Sequence, residues 1–215
     1  PGADRAAGGR GGGAGVTDRD IAGLRAFLAE AAALKDHERN SWTRAGRRES
    51  VAEHSWRVAL LALALRAADP ATAAETDLGR VLALCLVHDL GEALGGDTPA
   101  VARPDRAAKS ARERADLATL LAPAPPPVRA AVAALWEEHE AGETAEARLS
   151  RAADKFETVM QHVEGANPPG FDYGFNLGYG RDGTDAHPLA AALRALVDAE
   201  TRARDEAGRV RDRGG

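Results

Sequence analysis

The sequence predicts an all-α protein, a helical bundle of about six to seven helices. Three observations carry that prediction. Ala and Leu dominate, so long stretches consist of strong helix formers. Val and Ile are thinly spread and aromatics make up only 4% of the chain. Apolar residues recur at spacings of three and four, the period of a helix face. The 215 residues, 44% of them hydrophobic, suffice for one domain with a sizeable core.

The elements follow in order. Residues 1–16, "PGADRAAGGRGGGAGV", are Gly-rich and aperiodic and read as a disordered N-terminal tail. The domain itself is expected over 17–207. Thr17 or Asp18 caps a first helix whose stripe is Ile21, Leu24, Leu28 and Leu34. "KDHERNSWTRAGRR" is polar and irregular and reads as a loop. In "SVAE", Ser50 and Glu53 match a capping box, which opens a second helix to about Ala68, ahead of Pro70. "TDLGRVLALCLVHDLGEAL" reads as a third helix, ended by Gly95 and Gly96. A fourth covers about Asp105–Leu121, and "APAPPP" (122–127) is a turn. A fifth runs over about Val128–Glu140 and a sixth over about Thr144–Glu164. Residues 165–188 form a long Gly/Pro loop holding Phe171, Tyr173, Phe175 and Tyr179. A last helix covers about Leu189–Ala207, and 208–215 read as a frayed tail.

A net charge of -5 argues against a general nucleic-acid binder, which shows a basic face. No stretch reaches the roughly 18–20 apolar residues of a membrane span, and residues 1–16 lack the apolar run of a signal peptide. The single cysteine, Cys85, excludes an intrachain disulfide and fits a reducing, cytoplasmic setting. It sits in an apolar run and reads as a small core residue.

The chemistry begins at His54. Val51, His54, Val58, Leu61 and Leu65 share one face of the second helix, so His54 points the way the core points. Trp56, Leu60 and Leu63 widen that helix's apolar surface and suggest that it is central. His88 and Asp89 follow "LALCLV", a segment apolar all round and therefore buried. A buried carboxylate must meet a cation, a donor network or a metal. Imidazole nitrogen with carboxylate oxygen is a ligand mix for Mn, Fe, Co, Ni or Zn. Glu92, four residues after His88, shares its helix face and suits a general acid or base. Asp97 follows the glycine pair, either as a helix cap or as a site residue. Arg39, Arg44, Arg47 and Arg48 cluster upstream of His54 with Trp42 among them, and guanidinium forks match phosphate oxygens. The four aromatics of 165–188 suit a base contact, a lid, packing of the loop on the body, or a dimer contact. His139 and His162 have polar neighbours and read as surface or supporting residues.

"ESVAEHSWRVALLALAL", "LVHDLGEALGGDTPA" and "AADKFETVMQH" together resemble the HD-domain metal-dependent phosphohydrolases. The nearest branch is the 5'-deoxynucleotidases and their eukaryotic HD-domain-containing relatives. The resemblance covers roughly residues 20–165. It implies an HD-domain helical bundle holding one divalent metal on His54, His88, Asp89 and Asp154. It places the family's catalytic glutamate on Glu92 and its "GD" aspartate on Asp97. It places a phosphate-binding arginine, fifteen residues before the first histidine, on Arg39, with Trp42 alongside; from the basic cluster, Arg44 is expected as a further substrate contact. Asp154 rests on this resemblance: the sixth helix has its stripe at Leu149, Ala152, Ala153, Phe156, Met160 and Val163, and Asp154 lies nearly opposite with Ser150, Glu157 and Gln161.

The resemblance implies a metal-dependent phosphomonoesterase for nucleoside 5'-monophosphates. The residues alone imply a metal-assisted hydrolase for an anionic substrate. Alternatives are an HD hydrolase for a triphosphate, an alarmone or a modified nucleotide, and a catalytically silent HD module. The expected partner is a small-molecule nucleotide, with no nucleic acid and no membrane; a homodimer is implied by resemblance only.

Overall fold

The computed structural model describes residues 15–214. The expected N-terminal tail lies, up to residue 14, outside the described residues. Ten α-helices and one two-stranded hairpin follow: α1 Asp18–Ala31, β1 Glu38–Trp42, β2 Arg48–Ser50, α2 Val51–Ala68, α3 Pro70–Glu75, α4 Leu78–Val87, α5 Glu92–Gly95, α6 Arg106–Leu121, α7 Pro126–Ala141, α8 Ala145–Glu164, α9 Arg181–Asp185 and α10 Pro188–Gly214. The fold is all-α, as the composition predicts. Among the described residues no helix is long and apolar enough to cross a membrane.

Side chains cap the helices where the sequence offers them. Thr17 caps α1, Ser50 caps α2, Asp105 caps α6 and Thr144 caps α8. At α2 the box is reciprocal: Glu53 N–H donates to Ser50 Oγ at 3.2 Å, and Ser50 N–H to Glu53 Oε2 at 2.9 Å. Arg47, with help from Ser50, holds the Glu53 carboxyl down at about 2 from its ordinary 4.5. A carboxyl depressed by folding stabilises fully above pH 4.5 and loses its effect as pH falls through about 2. Ser50→Ala is therefore expected to cost about 1 kcal/mol in urea unfolding. Glu53→Gln should lower the neutral-pH midpoint and converge on the unsubstituted protein near pH 2.

Helices α2, α4 and α8 pack together at the centre. Val58, Ala62, Leu65, Val81, Cys85, Leu149 and Ala153 form the core between them. A second cluster joins Phe27, Val87, Leu117, Leu121 and Trp136, and a third joins Phe156, Val159, Val163 and Val197. Val51, His54, Val58 and Leu65 face inward on α2 as predicted. Trp56 and Leu60 do not: they are 66% and 49% exposed, on the face turned from α4 and α8.

Four departures from the sequence reading matter. The loop after Lys35 is in fact the hairpin, paired antiparallel with Glu38 opposite Ser50 and Trp42 opposite Arg48. A short helix, α3, follows Pro70, with Asp69 as its cap. The third predicted helix breaks: α4 ends at Val87, a turn carries Asp89, and α5 restarts at Glu92. Gly91 permits the restart, because a Cβ there would lie 2.8 Å from the Glu113 carbonyl oxygen on α6. Finally, α10 runs to Gly214, past the predicted fray at 208.

Candidate metal centre

The capping box starts α2 four residues before His54, which sets that side chain on the helix's inward face, fully buried. His88 closes α4 as its C-cap, and Asp89 occupies the turn beyond it. The chain leaves the helix at that turn. Adjacent residues, which would diverge on a helix, therefore converge. Asp154 comes from the middle of α8.

These four side chains meet. His54 Nε2 lies 3.2 Å from Asp154 Oδ1 and 3.8 Å from Asp89 Oδ2. His88 Nε2 lies 3.1 Å from Asp89 Oδ2 and 3.9 Å from Asp154 Oδ1. Both imidazoles are oriented from behind. His54 Nδ1–H donates to Glu157 Oε2 at 2.5 Å, and His88 Nδ1–H donates to the Cys85 carbonyl at 2.8 Å. Each Nε2 is thereby turned toward the carboxylates.

His88 Nε2 and Asp89 Oδ2 are buried and make no hydrogen bond among the described residues. Buried polar atoms without partners are rare, and here two face each other. Ligand atoms of His54, His88 and Asp89 lie within 4.8 Å of one another. The donor set, with two buried atoms that lack hydrogen bonds, fits a divalent cation. In the protein alone, burial and Arg39 push His54 down, but Glu157 and Asp154 outweigh them and bring it up to about 10. Asp89 and Asp154 are held well below the carboxylate range, against burial, by nearby cations: His88, His54 and Arg39 for Asp89, Lys155 with His54 and His88 for Asp154. The cluster thus attracts positive charge.

The cluster opens into a cavity of about 630 Å³. Arg39 on β1 reaches it, with Nη1 3.5 Å from Asp89 Oδ2 and Nη2 donating to Thr158 Oγ1 at 3.1 Å. Despite burial, Asp89, Asp97 and Asp154 keep this guanidinium charged. Glu92 is buried on α5 and accepts from Lys109 Nζ at 3.1 Å. Burial, then Asp89 and Asp97, raise its carboxyl to about 9 against Lys109 and Arg39. Asp97 lines the cavity too, in a loop. It does not cap the next helical turn, whose first flanking residue is Pro99.

Two predicted substrate contacts lie outside this cavity. Arg44 does not reach the cavity: its side chain is 80% exposed in the hairpin turn and pairs with Glu164 at 2.8 Å. Trp42 lines a smaller neighbouring cavity and stacks edge-on against Phe171.

Sequence reasoning missed several members. His139 is buried, bonded to Ser150 Oγ at 3.1 Å, with its ring 5.2 Å from that of His88. Burial and His88 push it down to about 3, so it stays neutral. Its spacing of three from buried Trp136 was the available signal. Lys109, Lys155 and Thr158 also line the cavity. Behind His54, Glu49 and Glu157 form a buried carboxylate pair, and burial with Glu157 raises Glu49 to about 7.

The HD domain family model matches residues 31–194, which include all of these residues. The chain belongs to the HD domain family. As an HD-domain chain it is 30% identical over 145 residues to the 5'-deoxynucleotidase HDDC2 of Mus musculus, covering 66% of this chain and 70% of that one. It is 28% identical over 151 residues to the Bos taurus protein of the same name, covering 69% and 71%. A crystal structure from Magnetospirillum magnetotacticum MS-1, described as a predicted metal-dependent phosphohydrolase, superposes with TM-score 0.71 and 34% identity, covering 86% of this chain and 94% of that one. An HD-domain phosphohydrolase from Listeria innocua shares the fold at TM-score 0.53 and 17% identity, covering 81% of each chain.

Proposed function

We propose that this HD-domain chain is a metal-dependent phosphomonoesterase hydrolysing nucleoside 5'-monophosphates, deoxynucleotides foremost, to nucleoside and phosphate. The observation that carries the reading is the buried His88 Nε2 and Asp89 Oδ2, which face each other at 3.1 Å without a hydrogen bond among the described residues, beside a charged Arg39 on a cavity wall. The name 5'-deoxynucleotidase of the mouse and bovine relatives supports the substrate class.

In this reading His54, His88, Asp89 and Asp154 hold one divalent ion, and the nitrogen–oxygen donor set suits Mn, Co, Fe, Ni or Zn. Such an ion, when bound, lowers the pKa of water and polarises a phosphoryl oxygen. Arg39 grips the phosphate with its planar fork, and Lys155 and Lys109 add positive charge at the cavity wall. Glu92 carries the proton for the leaving 5'-oxygen. Asp97, on the cavity wall, accepts from the sugar or its water network. Glu157 keeps His54 Nδ1 protonated and its Nε2 turned inward.

Phosphate release from nucleoside 5'- and 3'-monophosphates, each with Mn, Co, Mg or EDTA, tests the function. Metal-dependent release from the 5' compounds alone is expected. Silence across the panel with metal bound would overturn the monophosphate reading and point to triphosphates, alarmones or a modified nucleotide. The positioning role of Glu157 has its own test. Glu157→Gln keeps the volume but weakens the acceptor for His54 Nδ1–H. Metal affinity should fall about 10–100-fold in a metal-buffered titration, with helix content unchanged.

A further inference from the structure

The cavity of about 630 Å³ shares a wall with a smaller one of about 220 Å³. Asn40 and Phe175 line both. The two differ in chemistry. Cations and carboxylates surround the larger. The smaller is walled by Trp42, Phe171, Phe175, Pro168 and Pro169, and the titratable side chains on it are Asp172 and His162, the latter bonded through Nδ1 to Asn176 Oδ1 at 2.8 Å. The Asp172 carboxylate is engaged, accepting from Phe175 N–H at 3.1 Å. Asn40, whose neutral carboxamide offers both a donor and an acceptor, lines both cavities. A flat, uncharged ring with polar edges matches this lining.

The Phe175 wall is held rigidly. Arg194, fully buried on α10, donates from Nε to Asp198 Oδ1 at 2.8 Å, from Nη1 to the Tyr179 carbonyl at 2.9 Å and from Nη2 to the Asn176 carbonyl. Arg181 ties the same Asp198 to the Leu177 carbonyl. Phe175 and Tyr179 lie ring to ring, with centroids 5.0 Å apart and planes 31° apart. Gly180, at φ +68°, lets this segment lie on α8, because a Cβ there would meet Lys155 Cβ at 2.5 Å. A buried guanidinium held by Asp198 on its own helix and spent on two carbonyls of one loop fixes the orientation of an aromatic face.

We propose that the smaller cavity is a nucleobase subsite, with Phe175 as its stacking face and Asn40 as its hydrogen-bonding edge. The proposal rests on the nucleotide reading above and deepens it. The phosphate lies at the metal cluster and Arg39, and the base reaches past the shared wall. Stacking on an aromatic ring is sequence-tolerant, so Phe175 supplies affinity for any base, and Asn40 discriminates among base edges.

The test compares deoxyadenosine 5'-monophosphate with 2-deoxyribose 5-phosphate, which has the same phosphate and sugar but no base. The measured quantity is the ratio of their kcat/KM values. Phe175→Ala should lower that ratio roughly ten-fold, mainly through KM for the nucleotide. Phe175→Tyr, which keeps a stacking ring, should restore it. Asn40→Ala should change the ranking of the four bases. An unchanged ratio in Phe175→Ala overturns the subsite, whether activity is kept or lost equally on both substrates. Should the unsubstituted protein hydrolyse neither compound, calorimetric binding of deoxyadenosine 5'-monophosphate separates the two ideas. Binding weakened by Phe175→Ala keeps the subsite while the reaction reading fails. No binding overturns both.

Discussion

Asp89→Asn is expected to lose bound metal and phosphate release together. The substitution keeps the shape of the side chain and removes its charge. Asp89 Oδ2 faces His88 Nε2 at 3.1 Å, His54 Nε2 at 3.8 Å and Arg39 Nη1 at 3.5 Å, so one atom serves both the cluster and the phosphate-gripping arginine. Removing a partner behind a ligand typically costs 10–100-fold in affinity or activity, and removing the ligand itself costs at least about 100-fold. Metal content by elemental analysis and phosphate release should therefore fall in parallel. Excess metal should recover little, because Asn offers a neutral oxygen where the site needs an anion. Full activity in Asp89→Asn would overturn the metal assignment. A folded, metal-loaded but inactive variant would instead move Asp89 from ligand to substrate contact.

Much of this centre is legible in the sequence because short-range chemistry writes it there. The Ser50–Glu53 box fixes where α2 begins and so which way His54 points. The apolar run before His88 announces its burial. Three features are not legible, each for a physical reason. The hairpin hides because its buried residues are Ser41, Glu49 and Ser50, so no apolar alternation marks it. The break after Val87 hides because Leu90, Ala93 and Leu94 continue the helical pattern through the turn. Asp154 hides because α8 is buried on two faces: Phe156 and Val163 meet the core, and Ser150, Glu157 and Gln161 are buried on the polar side. Periodicity reads a polar face as solvated, and here it meets His54, Arg57 and the cavity instead. Only resemblance singled out Asp154, and nothing local singled out Lys109 or Glu157, whose roles depend on partners far along the chain.

Glu92→Gln should separate chemistry from metal binding. Glu92 Oε1 accepts from Lys109 Nζ at 3.1 Å, and its buried Oε2 has no hydrogen-bond partner among the described residues. Burial, with Asp89 and Asp97, raises the carboxyl to about 9, so it holds a proton at neutral pH. A protonated, partnerless oxygen at a cavity wall is a general acid in waiting. Gln preserves size and the Lys109 contact but has no proton to give. Turnover should fall about 10²–10⁴-fold with metal content unchanged. The loss should nearly vanish on p-nitrophenyl phosphate, whose phenolate leaves without protonation. The pH profile supplies the second check. A general acid works while protonated, so kcat of the unsubstituted enzyme should decline as pH rises toward about 9. A cation beside Asp89 cancels part of that residue's repulsion and moves the decline to lower pH. In Glu92→Gln that alkaline limb should be absent. An equal loss on both substrates with the limb retained would assign the proton to another group and leave Glu92 as a partner of Lys109 alone.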